Sequence, residues 1–432
     1  MSMGTCQWGR PLLDTIVSKR GVPIDTPKRR KIMNNKYIFK DYSANENNPK
    51  WSQIVTREQE LYSKTGDIRS PFERDFNRLL HTNAYNRLKH KTQVFFSPEN
   101  DHISTRIDHV NYVESISYTI SNYLGLNSEL TRAIACGHDV GHGPFGHKGE
   151  KIISEISKRE LGKPFWHEKN GLNIVDNIEL LDDYNGNKQN LNLTYAVRDG
   201  IISHCGEIDE NSLKPRNEAI DLNNYTKPNE YAPFTWEACI VKVADKISYL
   251  GRDIEDAIEE NFLTDDMLNE LSDITGIPSR TSNSAIINTL VTDICENSSP
   301  EVGIKLSKNA VEMMDKIKAF NYKYIYGAKR MNPSNKYFEI VINQIFDILK
   351  DTYDGKNTPN KIGDMTKYYP NLLNNFYSWI EKYWNIGKRE RLKNKVIFDI
   401  NKKEDYIQAI IYYISGMTDK FAIDMYNEII HF

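Results

Sequence analysis

The chain has 432 residues, 39% of them hydrophobic and 27% charged, with a net charge of −3. That length can bury a large core, with room for two subdomains, and so balanced a charge excludes bulk attraction to nucleic acid or to a membrane surface. No apolar run approaches about 18 residues, so no transmembrane helix is expected, and Met1 to Arg10 lack the apolar stretch of a secretory signal.

The five cysteines, Cys6, Cys136, Cys205, Cys239 and Cys295, are scattered and form no C-x-x-C pair. An odd, unpaired set predicts free thiols in a reducing cytoplasm.

Residues 1–50 read as an irregular arm, with Lys28-Arg29-Arg30-Lys31 as a solvated basic cluster. Trp51, Ile54 and Leu61 suggest a helix over 51–66. Ser70 is suited to cap the next helix and Pro71 to occupy its first position. Phe72, Phe76, Leu79, Leu80 and Ala84 continue it, with Arg74, Asp75, Arg78 and Arg87 as a solvated face. Residues 91–96 read as a strand before Ser97-Pro98. A further helix opens at Thr105, with Val113, Ile116, Ile120 and Leu124 as one buried stripe and Gly125 as its stop. Arg106 and His109 are three apart and share a face of it.

From His138 to Glu150 the chain holds three histidines and two carboxylates in thirteen residues, broken by four glycines and a proline. A helix cannot run through Gly-His-Gly-Pro. His138 and Asp139 therefore sit near a helix end, where both can turn toward one cation. Imidazole and carboxylate suit a borderline or hard divalent ion. Two ligands are too few, so others must come from neighbouring helices. A lone His109 reads first as a satisfied core histidine, but the ligand deficit beside it makes it a candidate. His147 and Glu150, three apart on the following helix, suit a proton-transfer group and the carboxylate that orients it.

Residues 163–171 read as a loop entering a helix to Leu181, with a polar turn from Asp182 to Gln189. A helix from Leu193 to Ile202 leads into Ser203-His204-Cys205-Gly206-Glu207, and 208–232 reads as a long surface loop. Trp236 to Phe262 carries the clearest helical pattern, with Ile240, Ala244, Ile247, Gly251, Ile254 and Ile258 on its core face. Asp245, Tyr249 and Asp253 step along the adjacent face. A half-buried carboxylate is costly unless it is paired or bound to metal, which makes Asp245 the fourth ligand. Residues 263–432 are helical and amphipathic with a polar break at 355–360, and Lys329, Arg330 and Lys336 read as ordinary surface charges. Walker and Rossmann glycine loops are absent, so a phosphate must be gripped by metal, Arg and Lys.

Taken in order, His109, His138-Asp139 and Asp245 resemble the H…HD…D signature of the HD metal-dependent phosphohydrolases. More narrowly, the chain resembles the bacterial deoxyguanosinetriphosphate triphosphohydrolases (dGTPases). The likeness is carried by 69–75, 87–94, 105–109, 138–150, 193–201 and 244–253, and so spans about residues 50 to 260. Departures are Tyr85-Asn86-Arg87-Leu88 where the family has Phe-Arg-Arg-Leu, and Thr82 where it has Ser.

The resemblance implies an all-α fold with an HD-domain helical core over 51–262, beside which 1–50 is an N-terminal arm that matches nothing in the family and 263–432 a helical C-terminal subdomain that resembles it only in being helical. It implies His109, His138, Asp139 and Asp245 as ligands of a divalent ion, with Mn, Mg, Fe, Co and Ni all compatible. His147 and Glu150 match the catalytic pair, and His142 and His167 match histidines near the catalytic water. Arg106 and Lys246 match phosphate contacts, Gln93 and Asp253 match groups that bind the sugar 3′-hydroxyl, and Tyr249 matches the ring that excludes a 2′-hydroxyl. The implied activity is hydrolysis of dGTP or other dNTPs to deoxynucleoside and tripolyphosphate. The implied setting is a cytoplasmic homo-oligomer off the membrane, with a dNTP or single-stranded DNA as effector. Two alternatives are an HD phosphodiesterase or nucleotidase acting on another nucleotide, and a nucleotide-sensing regulatory protein.

Overall fold

The computed structural model describes residues 35–60, 66–96, 100–204, 212–276 and 283–431. The basic cluster at 28–31 lies outside them. Over the described residues the protein is all-α, apart from one antiparallel hairpin that pairs Leu180–Asp182 with Lys188–Asn190.

Three helices frame the centre. Arg106–Leu124 starts at a capping box made by Thr105 and Asp108 and ends at Gly125, whose φ of 85° suits a residue without Cβ. Val113, Ile116, Ile120 and Leu124 are all buried, each contributing roughly 1.5–3 kcal/mol relative to exposure. This helix packs on Ser128–Gly137 and on Trp236–Glu259. In Trp236–Glu259 the expected core face is buried from Ile240 to Ile254, whereas Ile258, in the last turn, is 42% exposed. Pro71–Leu80 closes the group against Ser128–Gly137, capped as expected by Ser70, whose Oγ accepts from Glu73 N at 3.0 Å.

The Gly146–Leu161 helix joins this group to the C-terminal helices, packing on both Asn332–Asp351 and Lys403–Ser415. One hydrophobic core runs through both parts, from Phe39 to Met425. Among the described residues no helix is long and apolar enough to cross a membrane, and Cys136, Cys239 and Cys295 are free and buried.

Several local expectations fail for identifiable reasons. The helix expected over 51–66 stops at Ile54. The chain turns there, and Arg57 Nη1 reaches Asp75 at 2.6 Å. Asp75 is therefore buried, not solvated, and also accepts from Thr194 N at 2.8 Å and Thr194 Oγ1 at 2.7 Å. Arg78 likewise turns inward and donates to Leu191 O at 2.7 Å. Residues 91–96 form no strand, only a single bridge from Thr92 to Thr105, because no second strand lies alongside to build a ladder. The helix that begins at His167 ends in a π-turn at Ile178, and the polar turn beyond it is the hairpin. Arg330 is more than a surface charge, since its guanidinium caps the end of the long central helix by donating to Glu260 O at 2.8 Å.

Candidate metal and phosphate site

The Ser128–Gly137 helix ends where glycine and proline end it, and His138 is its C-cap. There the His138 ring turns back on its own helix, with Nδ1 2.7 Å from Ala135 O. A carbonyl only accepts, so Nδ1 carries the proton and Nε2 offers a lone pair. His109 is set the same way. Ser248 Oγ donates to Asp245 O at 2.7 Å, which leaves its oxygen to accept from His109 Nδ1 at 3.1 Å.

The two Nε2 atoms face each other at 3.3 Å. Asp245 Oδ1 lies 3.0 Å from His109 Nε2 and 3.8 Å from His138 Nε2. Donors about 2.1 Å from a shared ion stand roughly 3.0–3.4 Å apart, so this arrangement fits a cation between them. The field favours positive charge: burial opposes it on His109, but Asp245 and Asp139 outweigh burial and raise its pKa. Burial holds the His138 pKa down, keeping that ring neutral and able to ligate.

Asp139 has a divided role. Its oxygens lie 3.7 Å from His109 Nε2 and 3.6 Å from His138 Nε2. Oδ2 also accepts from Arg106 Nη1 at 2.8 Å, and Oδ1 lies 3.1 Å from His142 Nε2. Burial opposes the carboxylate, but His142, His138 and Arg106 together hold its pKa well below the ordinary value.

The loop after Asp139 depends on its glycines. A Cβ at Gly141 would lie 1.9 Å from His167 O and 2.3 Å from Gly171 N, so only glycine lets the His167–Asn173 helix touch the site. Phe145 and Gly146 then turn through the left-handed region, with φ of 62° and 57°. The turn starts the helix that carries Glu150. Glu150 Oε1 accepts from His167 N at 3.0 Å, and Oε2 lies 3.1 Å from His167 Nδ1. Burial opposes charge on His167, but Glu168 and Glu150 outweigh it and push its pKa up to about 10. His142 stacks on His167 with centroids 3.7 Å apart.

His147 stands apart from this buried group. Its side chain is 75% exposed and its Nδ1 is 3.9 Å from Glu150 Oε2. The sequence pairs His147 with Glu150, whereas in the structure Glu150 lies closer to His167.

Several buried polar atoms near Arg106 and His109 lack partners among the described residues. Arg106 is buried, and beyond its bond to Asp139 neither Nε nor Nη2 finds an acceptor among the described residues. Gln93 Oε1 and Asp253 Oδ1 are likewise buried and unpartnered. Burial lifts the Asp253 pKa to about 7, against a hydrogen bond that Tyr326 donates to Oδ2. Lys246 is buried and Tyr249 half-buried on the same helix.

Sequence reasoning missed the groups that hold the loop. Lys91 is buried, donating from Nζ to His142 O and to Ser415 O, the latter at 3.0 Å. Asp419 accepts from Phe145 N and from Thr92 N, each at 2.8 Å. It also missed Ser248, Tyr326, Glu168 and His204. Only His204 carried a local signal, as a histidine at a helix end like His138.

Comparison with protein families matches the HD domain to residues 106–250. The chain is 32% identical, over 364 residues, to a deoxyguanosinetriphosphate triphosphohydrolase-like protein of Caldanaerobacter subterraneus subsp. tengcongensis, covering 84% of this chain and 86% of that one. Proteins described in the same words from Desulfatibacillum aliphaticivorans and Rickettsia prowazekii are 30% and 31% identical, again over 84% of this chain.

Proposed function

The chain belongs to the deoxyguanosinetriphosphate triphosphohydrolase-like, HD-domain family of metal-dependent phosphohydrolases, and on that premise we propose that it hydrolyses dGTP, and other dNTPs with it, to deoxynucleoside and tripolyphosphate. The observation that carries this reading is the set of unpartnered buried atoms on Arg106, Gln93 and Asp253 beside the His109–His138–Asp245 cluster. A fold keeps buried polar atoms unpaired at a cost of about 1–3 kcal/mol each. A ligand with anionic oxygens at one end and a hydroxyl at the other offsets that cost, and a deoxynucleoside triphosphate is such a ligand.

In this reading His109, His138, Asp139 and Asp245 hold a divalent ion, which supplies Lewis-acid charge at a phosphate oxygen and acidifies water beside it. Arg106, neutralised on one side by Asp139, turns its free N–H groups to the triphosphate, and Lys246 adds charge from the long helix. Gln93 and Asp253 take the sugar 3′-hydroxyl. Tyr249, one turn beyond Asp245, packs where a 2′-hydroxyl would stand. His147, exposed to solvent, passes a proton to the oxygen that leaves with the sugar. Glu150 orients it, while His142 and His167 order the water on the buried side.

The test is product analysis. The purified chain is incubated with each of the four dNTPs in Mn²⁺ or Mg²⁺, and the phosphate products are separated by ion chromatography. Tripolyphosphate with free deoxynucleoside is expected. Pyrophosphate with a nucleoside monophosphate would instead favour a nucleotide phosphodiesterase, and no product would favour a sensor.

A further inference from the structure

We propose that a cavity beside the Lys403–Ser415 helix, separate from the metal site, binds a small heteroaromatic anion of nucleoside-monophosphate size. The cavity has a volume of about 290 Å³, near the lower end for small-molecule sites. It lies between residues 163–166, which lead into the His167–Asn173 helix, and the Lys403–Ser415 helix. None of the residues assigned above to metal, phosphate or sugar lines it, so the inference does not depend on the proposed function.

One short stretch of chain serves both places. Trp166, Lys169 and Asn170 stand three and four apart and share a face, and all three line the cavity. His167, between them, turns to Glu150, with Nδ1 3.1 Å from Oε2. Phe165 and Tyr412 complete the aromatic walls. Flat walls of this kind suit a ring, and a bare inorganic anion would leave them unused.

The polar atoms at the cavity narrow the ligand further. Trp166 is 8% exposed and Asn170 3%, yet neither Trp166 Nε1 nor Asn170 Oδ1 has a hydrogen-bond partner among the described residues. The first only donates and the second only accepts. A ring with an acceptor and a donor along its edge, as a nucleobase has, satisfies both. Lys169 Nζ lies 5.2 Å from the Trp166 ring centroid and donates to Tyr225 O at 2.6 Å. Burial lowers the Lys169 pKa, and the charge of Lys163 lowers it further, against Glu230. Lys163 lines the cavity as well, and no carboxylate does so among the described residues. Two ammonium groups at one cavity favour an anionic group such as a phosphomonoester. Asn170 also donates from Nδ2 to Gly141 O at 2.7 Å. Occupancy of the cavity is thereby felt at the loop that follows His138 and Asp139.

The test is calorimetric. The full chain in EDTA is titrated with each of the four ribonucleoside 5′-monophosphates, and separately with orthophosphate. At least one monophosphate should bind at one site per chain, and orthophosphate should not bind. Lys163→Gln removes a charge and Trp166→Phe removes the indole donor. Each should weaken binding by about tenfold, the effect of one lost hydrogen bond to a charged or buried group. Lys163 is exposed, so Lys163→Gln decides the matter if Trp166→Phe does not fold. Asp245→Ala should bind as the wild type does. No binding of any monophosphate, or undiminished binding in either folded variant, would overturn the site. Binding lost in Asp245→Ala would place the nucleotide at the metal centre, and orthophosphate binding as tightly would reduce the cavity to an anion contact. Either result overturns the assignment. A chain that hydrolyses no dNTP but binds the monophosphate would refute the proposed function and leave this site standing.

Discussion

Tyr326 donates its phenolic hydroxyl to Oδ2 of Asp253 across 73 positions of sequence. The C-terminal helices thereby reach the carboxylate proposed to bind the sugar. Tyr326→Phe keeps the ring and removes the donor, leaving Asp253 with neither oxygen hydrogen-bonded among the described residues. A hydrogen bond to a charged or partly charged group is worth about 1.5–3 kcal/mol, so a lower melting temperature is expected. KM for dGTP should rise as well, because the carboxylate loses its fixed orientation. Unchanged melting and unchanged KM would show that the contact is incidental.

Asp253 also sets a pH dependence. Burial raises its pKa to about 7, from an ordinary 3.8. Between those values the folded chain holds a proton that the unfolded chain has released. Stability from this group is therefore full below about pH 3.8 and is lost as pH rises toward 7. Asp253→Asn cannot ionise and escapes that loss. Its melting temperature should gain on the wild type steadily between pH 4 and 7 and run parallel above pH 8. A difference that stays flat across the range would remove the buried ionisation from the account.

In the proposed reading metal binding and proton transfer fall to different residues, and two variants should separate them. Asp245 contributes an oxygen 3.0 Å from His109 Nε2, so Asp245→Ala should lose bound metal and turnover together. His147 stands outside that cluster, 75% exposed. His147→Ala should keep its metal and slow turnover by ~10²–10⁴. If His147→Ala turned over at the wild-type rate, the buried His167, which lies nearer Glu150, would be the better candidate for the proton.

What was legible follows from the range of the forces involved. Ser70-Pro71 and Thr105 with Asp108 act within four residues, and those helix starts could be read directly. So could the end of a helix at His138, because glycine and proline forbid it to continue. The half-buried place of Asp245 was readable from its position one residue off a core stripe. Asp75 was misread because its partners, Arg57 and Thr194, lie in other segments, and no local rule tells a buried ion pair from a solvated face. Tyr326, Lys91 and Asp419 were invisible for the same reason. Their partners are far off in sequence, and helical periodicity reports which face is buried without saying against what.

Asp419 bears the last prediction. It opens the final helix, Asp419–Ile430, and is 4% exposed. Its two oxygens bind two backbone N–H groups of the site, Phe145 at 2.8 Å and Thr92 at 2.8 Å. Phe145 holds a left-handed conformation that is unusual for a residue with a side chain. Thr92 precedes Gln93. One carboxylate therefore fixes both the turn that aims His147 and Glu150 and the strip that carries Gln93. Burial raises the Asp419 pKa, and the hydrogen bonds from Thr92 and Phe145 work against that rise. Asp419→Ala leaves both N–H groups buried without an acceptor, at about 1–3 kcal/mol each, and frees the turn. Bound metal should be retained, since His109, His138 and Asp245 lie on other helices. Turnover should fall at least tenfold, with faster amide exchange at Phe145 and Thr92, and Asp419→Asn should recover part of the rate through its remaining acceptor oxygen. Wild-type turnover in Asp419→Ala would show that the turn holds its shape without the carboxylate.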